Sequence, residues 1–459
     1  MKIQNSKFKI QKQISFLLFT FYFLLFTLLP FANAQTNSAT QQNVTGTTGT
    51  FVIKGARIIP VVGAEIESGS VLIRNGKIEA VGATVNAPSD AKVIDGKGLS
   101  VYPGMIDAST NMGLIEIPLG APGTVDSNET GGMNPNAKAI TAINPHSAHI
   151  NVTRVNGTTT VLSLPGGGVI SGQSAVINLN GATPYEMAVT ESFALVINFP
   201  RVSVFSGFSF AGPPRDVPLS EALKNRDRQV EALKQMFEDA ENYGKSMDAA
   251  TKDPKLPRPK TNLRFAAMLP YIRGERPVIL NVNREVDIRA ALKFVDETKI
   301  KVILMGCNDA WKVTKALKER NIPVILTGVF DLPVREDDPY DLYYENAAKL
   351  QQAGVKFCIA TGDYGAEARD LPYKAGMASS FGLPQAEALK AVTIYPAQIL
   401  GVADKMGSIE VGKMANIVVT DGDILEARTN IKHLFINGRQ LPLTSRHTEL
   451  YEQFKNRTK

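Results

Sequence analysis

Histidine is scarce in this chain, with four among 459 residues. His146, His149, His433 and His447 offer no metal-binding cluster apart from the i, i+3 pair His146/His149. Cysteine is scarcer still. Cys307 and Cys358 match no zinc spacing, and both lie in or just after apolar runs, which predicts buried free thiols rather than a disulfide. No GxGxxG follows the first strand and no P-loop occurs, so the common nucleotide cradles are absent. Runs of Lys and Arg with interleaved aromatics are missing too, which excludes a nucleic-acid partner. The net charge of +6 includes Lys2, Lys7, Lys9 and Lys12. Without those four it is +2, so the basic isoelectric point carries no message about partners.

Those four lysines open a three-part leader. A basic start precedes the apolar run Phe16–Phe31, and Ala32-Asn33-Ala34 offers small residues for cleavage before Gln35. The run is shorter than the roughly 20 residues a spanning helix needs, and a polar stretch follows it. A signal peptide over 1–34 is expected, giving an exported protein, periplasmic or extracellular, with no membrane attachment after cleavage. Residues 35–50 read as a disordered linker.

From Phe51 the pattern becomes short alternating strands. Asn75-Gly76, and later Asn437-Gly438, are two-residue hairpin signals, because both positions must accept positive φ. Between these ends the rhythm changes. Apolar runs of five to seven residues, SVYPGMID, GTTTVLSL, ALVINF, PVILNV, KVILMG, IPVILTG and KFCIATG, alternate with amphipathic helical stretches. Such alternation predicts parallel strands covered on both faces, and about 300 residues of it fit a (β/α)8 TIM-like barrel. The expected layout is an α/β chain. A β-sandwich is built from halves 51–101 and 402–440, the barrel occupies 102–401, and 441–459 form a surface tail helix.

Two stretches resemble the amidohydrolase superfamily, in particular its secreted imidazolonepropionase-like branch. VYPGMIDASTN at 101–111 looks like the family's entry strand, where a Pro-Gly-hydrophobic-Ile-Asp run leads into His-x-His. GLPQAEALKAVTIYPAQILGVADKMGSIEVGKMANIVVTDGD at 382–423 looks like its closing helices and first returning sandwich strand. The resemblance spans about residues 51–440. It implies hydrolysis of C–N bonds other than peptide bonds, assisted by Zn or another divalent metal. That metal would be held by histidines ending strands one, five and six and an aspartate ending strand eight, and it would lower the pKa of a bound water.

Carried across position by position, the family's ligands are missing. Ser109 and Asn111 stand at the His-x-His positions, Asn281 at the strand-five position, and Met305 or Gly306 at the strand-six position. Only Asp363, in IATGDYG, matches, and it is the candidate catalytic residue. Neutral Ser and Asn oxygens are poor zinc ligands. No metal or other cofactor is therefore expected, beyond a weakly held hard cation such as Ca²⁺. The expected pocket includes Asp107, Ser109, Asn111, Asn281, Asn283, Cys307, Ser171 and Gln173. His146 and His149, on a helix feeding strand two, are expected toward the inactive end of the barrel. The Gly166-Gly167-Gly168 run reads equally as an anion-accepting loop or a tight turn. Gly207–Leu219 reads as a lid. Two functions stay open: an active exported amidohydrolase with an atypical metal site, and a catalytically inactive relative. The inactive form would bind a small molecule, self-associate, or join an active paralogue as a heteromer.

Overall fold

The computed structural model describes residues 45–117, 121–204, 216–362, 364–455 and 457. The leader, most of the 35–50 linker, residues 207–215 of the lid segment, and Asp363 itself lie outside the described residues. Among the described residues no helix is long and apolar enough to cross a membrane.

One sheet is assembled from both ends of the chain. Its strands are β1 (Phe51–Ile58), β2 (Ile66–Arg74), β3 (Lys77–Gly82), β4 (Lys92–Asp95) and β5 (Ser100–Pro103) from the first part. Late in the chain come the three returning strands Ile417–Thr420, Ile431–Ile436 and Arg439–Leu441. The junction is the antiparallel pairing of β5 with Ile417–Thr420, Tyr102 opposite Val418. The sheet closes over its own core, where Phe51 and Phe435 meet edge-on at 5.2 Å. Both Asn-Gly turns form as the sequence predicts, with φ of +52° and +78° at Asn75-Gly76 and +50° and +70° at Asn437-Gly438. The two turns also stack on each other: a Cβ on Gly438 would lie 2.5 Å from Gly76 Cα, so that glycine is required by space as well as by φ.

The barrel staves follow. The run SVYPGMID does not make one strand: it breaks at Gly104, where a Cβ would lie 2.2 Å from Thr159 Oγ1. Ser100–Pro103 before the break serves the sandwich, and β6 (Met105–Thr110) opens the barrel. β7 (Thr158–Ser163) lies parallel to it. The third stave is a near-continuous pair, β8 (Ile170–Gln173) and β9 (Ala175–Asn178), and it runs antiparallel to both neighbours. This corrects the all-parallel expectation. The Gly166–Gly168 run turns the chain straight back at the end of β7, so no helix intervenes. A short strand, β10 (Ala188–Thr190), pairs with β9 at the edge. β11 (Leu195–Asn198), β12 (Val278–Val282), β13 (Val302–Gly306), β14 (Val324–Leu326) and β15 (Phe357–Ile359) then pair in parallel. Past β15, Gly362 N–H donates to Ser109 O at 3.0 Å, bringing the eighth stave to the first. The fold is a TIM-like barrel with a small sandwich.

Alternation along the staves separates two cores. Ile279, Ile303, Met305, Ile325 and Cys358 fill the lumen, together with Ile394, Leu400 and Val402 from the segment that plugs its lower end. Val278, Leu280, Val302, Leu304 and Phe357 face outward onto the helices. The helices include α1 (Ala148–Arg154), the 34-residue α2 (Leu219–Lys252), α3 (Leu263–Ile272) and α4 (Glu285–Thr298). They continue with α5 (Thr314–Glu319), α6 (Asn346–Ala353), α7 (Leu371–Ser380), α8 (Gln385–Ala391) and α9 (Ile394–Ile399). Cys307 and Cys358 are free and buried, as their apolar surroundings predict. The tail carries α10 (Arg446–Phe454), which buries no side chain.

Candidate functional site

The C-terminal ends of the staves gather most of the expected residues, and each is already engaged within the chain. Ser109, fully buried at the end of β6, donates its hydroxyl to Met305 Sδ on β13 at 3.2 Å. By the resemblance, Ser109 stands at the first His-x-His position and Met305 is, with Gly306, one of two candidates for the strand-six position. Asn111 Oδ1 accepts the Gly365 N–H at 2.8 Å, tying the first stave to the loop after the eighth. Asn281, at the end of β12, donates to Asn198 Oδ1 at 3.2 Å. Asn198 in turn donates to Gly168 O at 3.0 Å and to Ser171 Oγ at 3.1 Å, and Ser171 donates to Gly167 O at 2.8 Å. Asn198 was invisible to motif reasoning, yet it is the hub that links Asn281 to Ser171.

A metal at this site would need lone pairs aimed at one point. Ser109 is committed to a thioether, which is a weak acceptor, and the Asn111 oxygen and Asn281 amide are spent on neighbours. The donor set does not fit a transition metal. Among the described residues, which exclude Asp363, no group of three His, Cys, Asp or Glu side chains could hold an ion.

Asp107 is wholly buried in the seam between the first and eighth staves. Its carboxylate accepts the Thr361 hydroxyl, the Thr361 N–H at 3.0 Å and the Ser109 N–H at 3.2 Å. Burial nevertheless dominates and pushes its pKa up to about 6, against the pull of those bonds and of Lys374. Lys374 was missed by sequence reasoning. It lies on α7, 4% exposed, and its ammonium donates to Thr361 O at 2.7 Å and Thr327 O at 3.0 Å. Burial lowers its pKa, while Asp107, Asp331, Glu367 and Asp370 oppose that shift. A signal was available: Lys374 interrupts the apolar stripe Leu371, Ala375, Ala378 at helical spacing.

The remaining expected residues are not brought together with these. Asn283 stands on the exposed rim after β12. Cys307 packs in the outer core with φ +58°, and burial drives its thiol pKa up, so it is no ready nucleophile. Gln173 falls away from the mouth because its stave runs antiparallel. It pairs with Leu195 at the start of β11, donates to Pro135 O at 2.9 Å and accepts from Ser192. Its role is to pin the 134–138 segment.

The histidine placement is also corrected. A helix after a barrel strand starts at that strand's C-terminal end, so the first turn of α1 belongs to the mouth. His149 Nε2 lies 3.0 Å from Glu116 O, and its ring centre is 6.5 Å from that of Tyr364, which follows the eighth stave. Glu116 accepts the Ala148 N–H at 2.6 Å and the Ser147 hydroxyl at 2.8 Å, capping α1. His146 precedes the helix and is exposed, so the two rings do not share a helical face. His433 sits on a sandwich strand against Gln440, and His447 on the tail helix. The Gly166 N–H is taken by Ser127 O at 2.7 Å and so does not point into an anion cradle.

Comparison with known proteins bears on the fold rather than on these residues. The family described as "Amidohydrolase family" matches residues 313–441. Amidohydrolase tasK of Hapsidospora irregularis is 24% identical over 390 residues, covering 81% of this chain but 39% of its own length. The chain thus spans about two-fifths of that curated relative. Among solved structures, an amidohydrolase from Thermotoga maritima MSB8 aligns with a TM-score of 0.75 and 26% identity, covering 85% of this chain and 99% of its own. An adenosine deaminase from Xanthomonas campestris with bound Zn aligns with a TM-score of 0.50 and 16% identity, covering 88% of this chain and 97% of its own.

Proposed function

We propose that the chain is a member of the amidohydrolase superfamily without metal-assisted hydrolysis, serving as a small-molecule-binding or partner subunit; the family match over residues 313–441 and the likeness to the Thermotoga maritima amidohydrolase support this reading. The partner would be a second copy or an active paralogue. The observation that carries this reading is the Ser109 Oγ to Met305 Sδ bond of 3.2 Å, which engages inside the chain the residue that the resemblance sets at the first His-x-His position. Around it, Asn111 and Asn281 bond within the chain, which supports a mouth that is complete without an ion.

A second reading is an active hydrolase of C–N bonds other than peptide bonds. It is favoured by the similarity to an amidohydrolase and by Asp363, the position that the family resemblance assigns to the aspartate after the eighth strand. Elemental mass spectrometry on extensively dialysed protein separates the two. Near-stoichiometric Zn, Mn or Fe sinks the inactive-relative reading, and its loss in Asp363→Asn would assign the metal to this mouth. A metal content below a tenth of stoichiometric is the expected result. We also place the protein outside the cytoplasm, on the basic, apolar and small-residue layout of residues 1–34. N-terminal sequencing of the mature protein should begin at Gln35, and retention of Met1 would refute export by this leader.

A further inference from the structure

The opposite end of the barrel holds a cavity that none of this chemistry uses. It has a volume of about 1040 Å³ and lies at the N-terminal ends of β12–β15, above α9. Ligand sites commonly fall in the range of about 300–1000 Å³. Its walls are apolar: Ile300, Ile322, Val355 and Phe357 from the strand entrances, and Tyr395 and Ile399 from the plug.

Its entrance is basic. Lys301 and Lys356 stand one residue before β13 and β15, still within the ladder: Lys301 O accepts from Val278 N–H at 2.8 Å and Lys356 O from Val324 N–H at 2.9 Å. Side chains alternate along a strand, so Lys301 shares the pleat face of Ile303, and Lys356 that of Cys358, both lumen residues. The two lysines therefore belong to the ring around the barrel axis rather than to the helix layer. Lys299 joins them from the left-handed C-cap of α4, at φ +57°.

The acids lining the cavity are spoken for. Arg320 forks onto Asp296 at 3.0 and 2.8 Å. Glu387 accepts from Lys390 at 2.9 Å and from Tyr395 Oη at 2.5 Å. Among the described residues, Lys299, Lys301 and Lys356 form no ion pair. Lys299 acts on Asp296 through space, which leaves the Lys301 and Lys356 ammonium groups above low-dielectric walls to focus a positive potential into the opening.

We propose that this floor cavity is a binding site for an amphiphilic organic anion: a carboxylate held by Lys301 and Lys356, with an apolar body lying along Tyr395 and Ile399. The site is separate from the mouth, so it stands whether or not the mouth hydrolyses anything.

The test is titration calorimetry of the full-length protein with dodecanoate below its micelle concentration, beside dodecyltrimethylammonium and inorganic phosphate. One saturable dodecanoate site is expected, with at least tenfold weaker binding of the cationic amphiphile and of phosphate. Lys301→Gln combined with Lys356→Gln should weaken dodecanoate at least tenfold, with an unchanged thermal unfolding midpoint because both side chains are exposed. Gln398→Trp, which fills the opening from α9, should abolish binding while leaving both lysines in place. The proposal is overturned by unsaturable or many-site uptake, by equal affinity for the cationic amphiphile, or by wild-type dodecanoate binding in either variant.

Discussion

Replacing Arg154 by Met should make this protein more stable. Arg154 lies at the C-terminal end of α1 and is 1% exposed, yet no carboxylate among the described residues meets it. Its hydrogen bond among the described residues runs from a terminal nitrogen to Leu179 O at a long 3.4 Å, and its Nε has no partner there. Burial alone lowers its pKa from 12.5 to about 10. The folded state therefore pays for holding the charged form at neutral pH, by about 3 kcal/mol at 1.36 kcal/mol per unit. Substitution leaves Leu179 O unpaired, which offsets about 1 kcal/mol of the gain. Methionine is unbranched and similar in length, so it fills the channel the arginine stem occupies without a large void. The net expectation is a gain of about 2 kcal/mol, in line with exchanges of poorly compensated buried charges for apolar groups. With an m-value of about 3 kcal/mol/M, the urea midpoint should rise by about 0.7 M. Equilibrium unfolding followed by tryptophan fluorescence and far-ultraviolet dichroism measures it. A lowered midpoint in Arg154→Met would refute the reasoning, because it would mean that the guanidinium has a strong partner in solution.

Asp107 supplies a pH dependence. Its folded pKa of about 6 lies above the usual 3.8, so its contribution is fully present below pH 4 and is lost as pH rises through 6, by about 3 kcal/mol. Urea midpoints measured from pH 4 to 7 should fall along that window and flatten in Asp107→Asn; identical slopes would defeat the assignment. Lys374→Met should cost about 2 kcal/mol, since it strips the donor from two carbonyls, Thr327 O and Thr361 O. Removing this cation should also move the Asp107 window to higher pH, and a window that stays in place would show that the ammonium does not act on the carboxyl. Gly438→Ala and Gly401→Ala form a matched pair with φ of +70° and +66°. Nothing lies within 4 Å of a Cβ on Gly401, so its substitution should cost only the left-handed backbone, about 1–2 kcal/mol. Gly438→Ala should lose a further 1–3 kcal/mol to the Gly76 backbone, and equal losses in the two variants would remove the stacked-turn argument.

The staves were legible because their apolar runs have one structural outcome. PVILNV and KVILMG fill both a lumen and an outer core, and no other arrangement hides both faces. Stave direction was not legible. Ala175–Asn178 is as apolar as a parallel stave, and only the length of the connection distinguishes it. The glycine run leaves no residues for a crossover helix, so the chain must return antiparallel. That reversal carried Gln173 away from the mouth, although it follows Ser171 by two residues. The histidine error had a similar origin. Sequence order puts α1 before β7, but its first turn lies beside the end of β6, where Glu116 caps it. Hubs such as Asn198 and Lys374 escaped because their meaning depends on partners 30 or more residues distant in some cases, and on burial that no spacing encodes. The split of SVYPGMID at Gly104 was hidden for the same reason, since it is set by Thr159.

The substitutions at the mouth form a consistent set. Loss of one ligand alone would leave buried imidazoles without an ion, and such orphaned groups cost about 1–3 kcal/mol each. Here each position has a partner inside the chain: Ser109 with Met305, Asn111 with the Gly365 N–H, Asn281 with Asn198. Each bond contributes about 1 kcal/mol, and a returning histidine would have to break one of them before any metal bound. Single reversions such as Ser109→His should therefore destabilise the fold without restoring affinity for zinc. Restoring it would require changing the partners as well, Met305 among them, because its sulfur accepts the Ser109 hydroxyl.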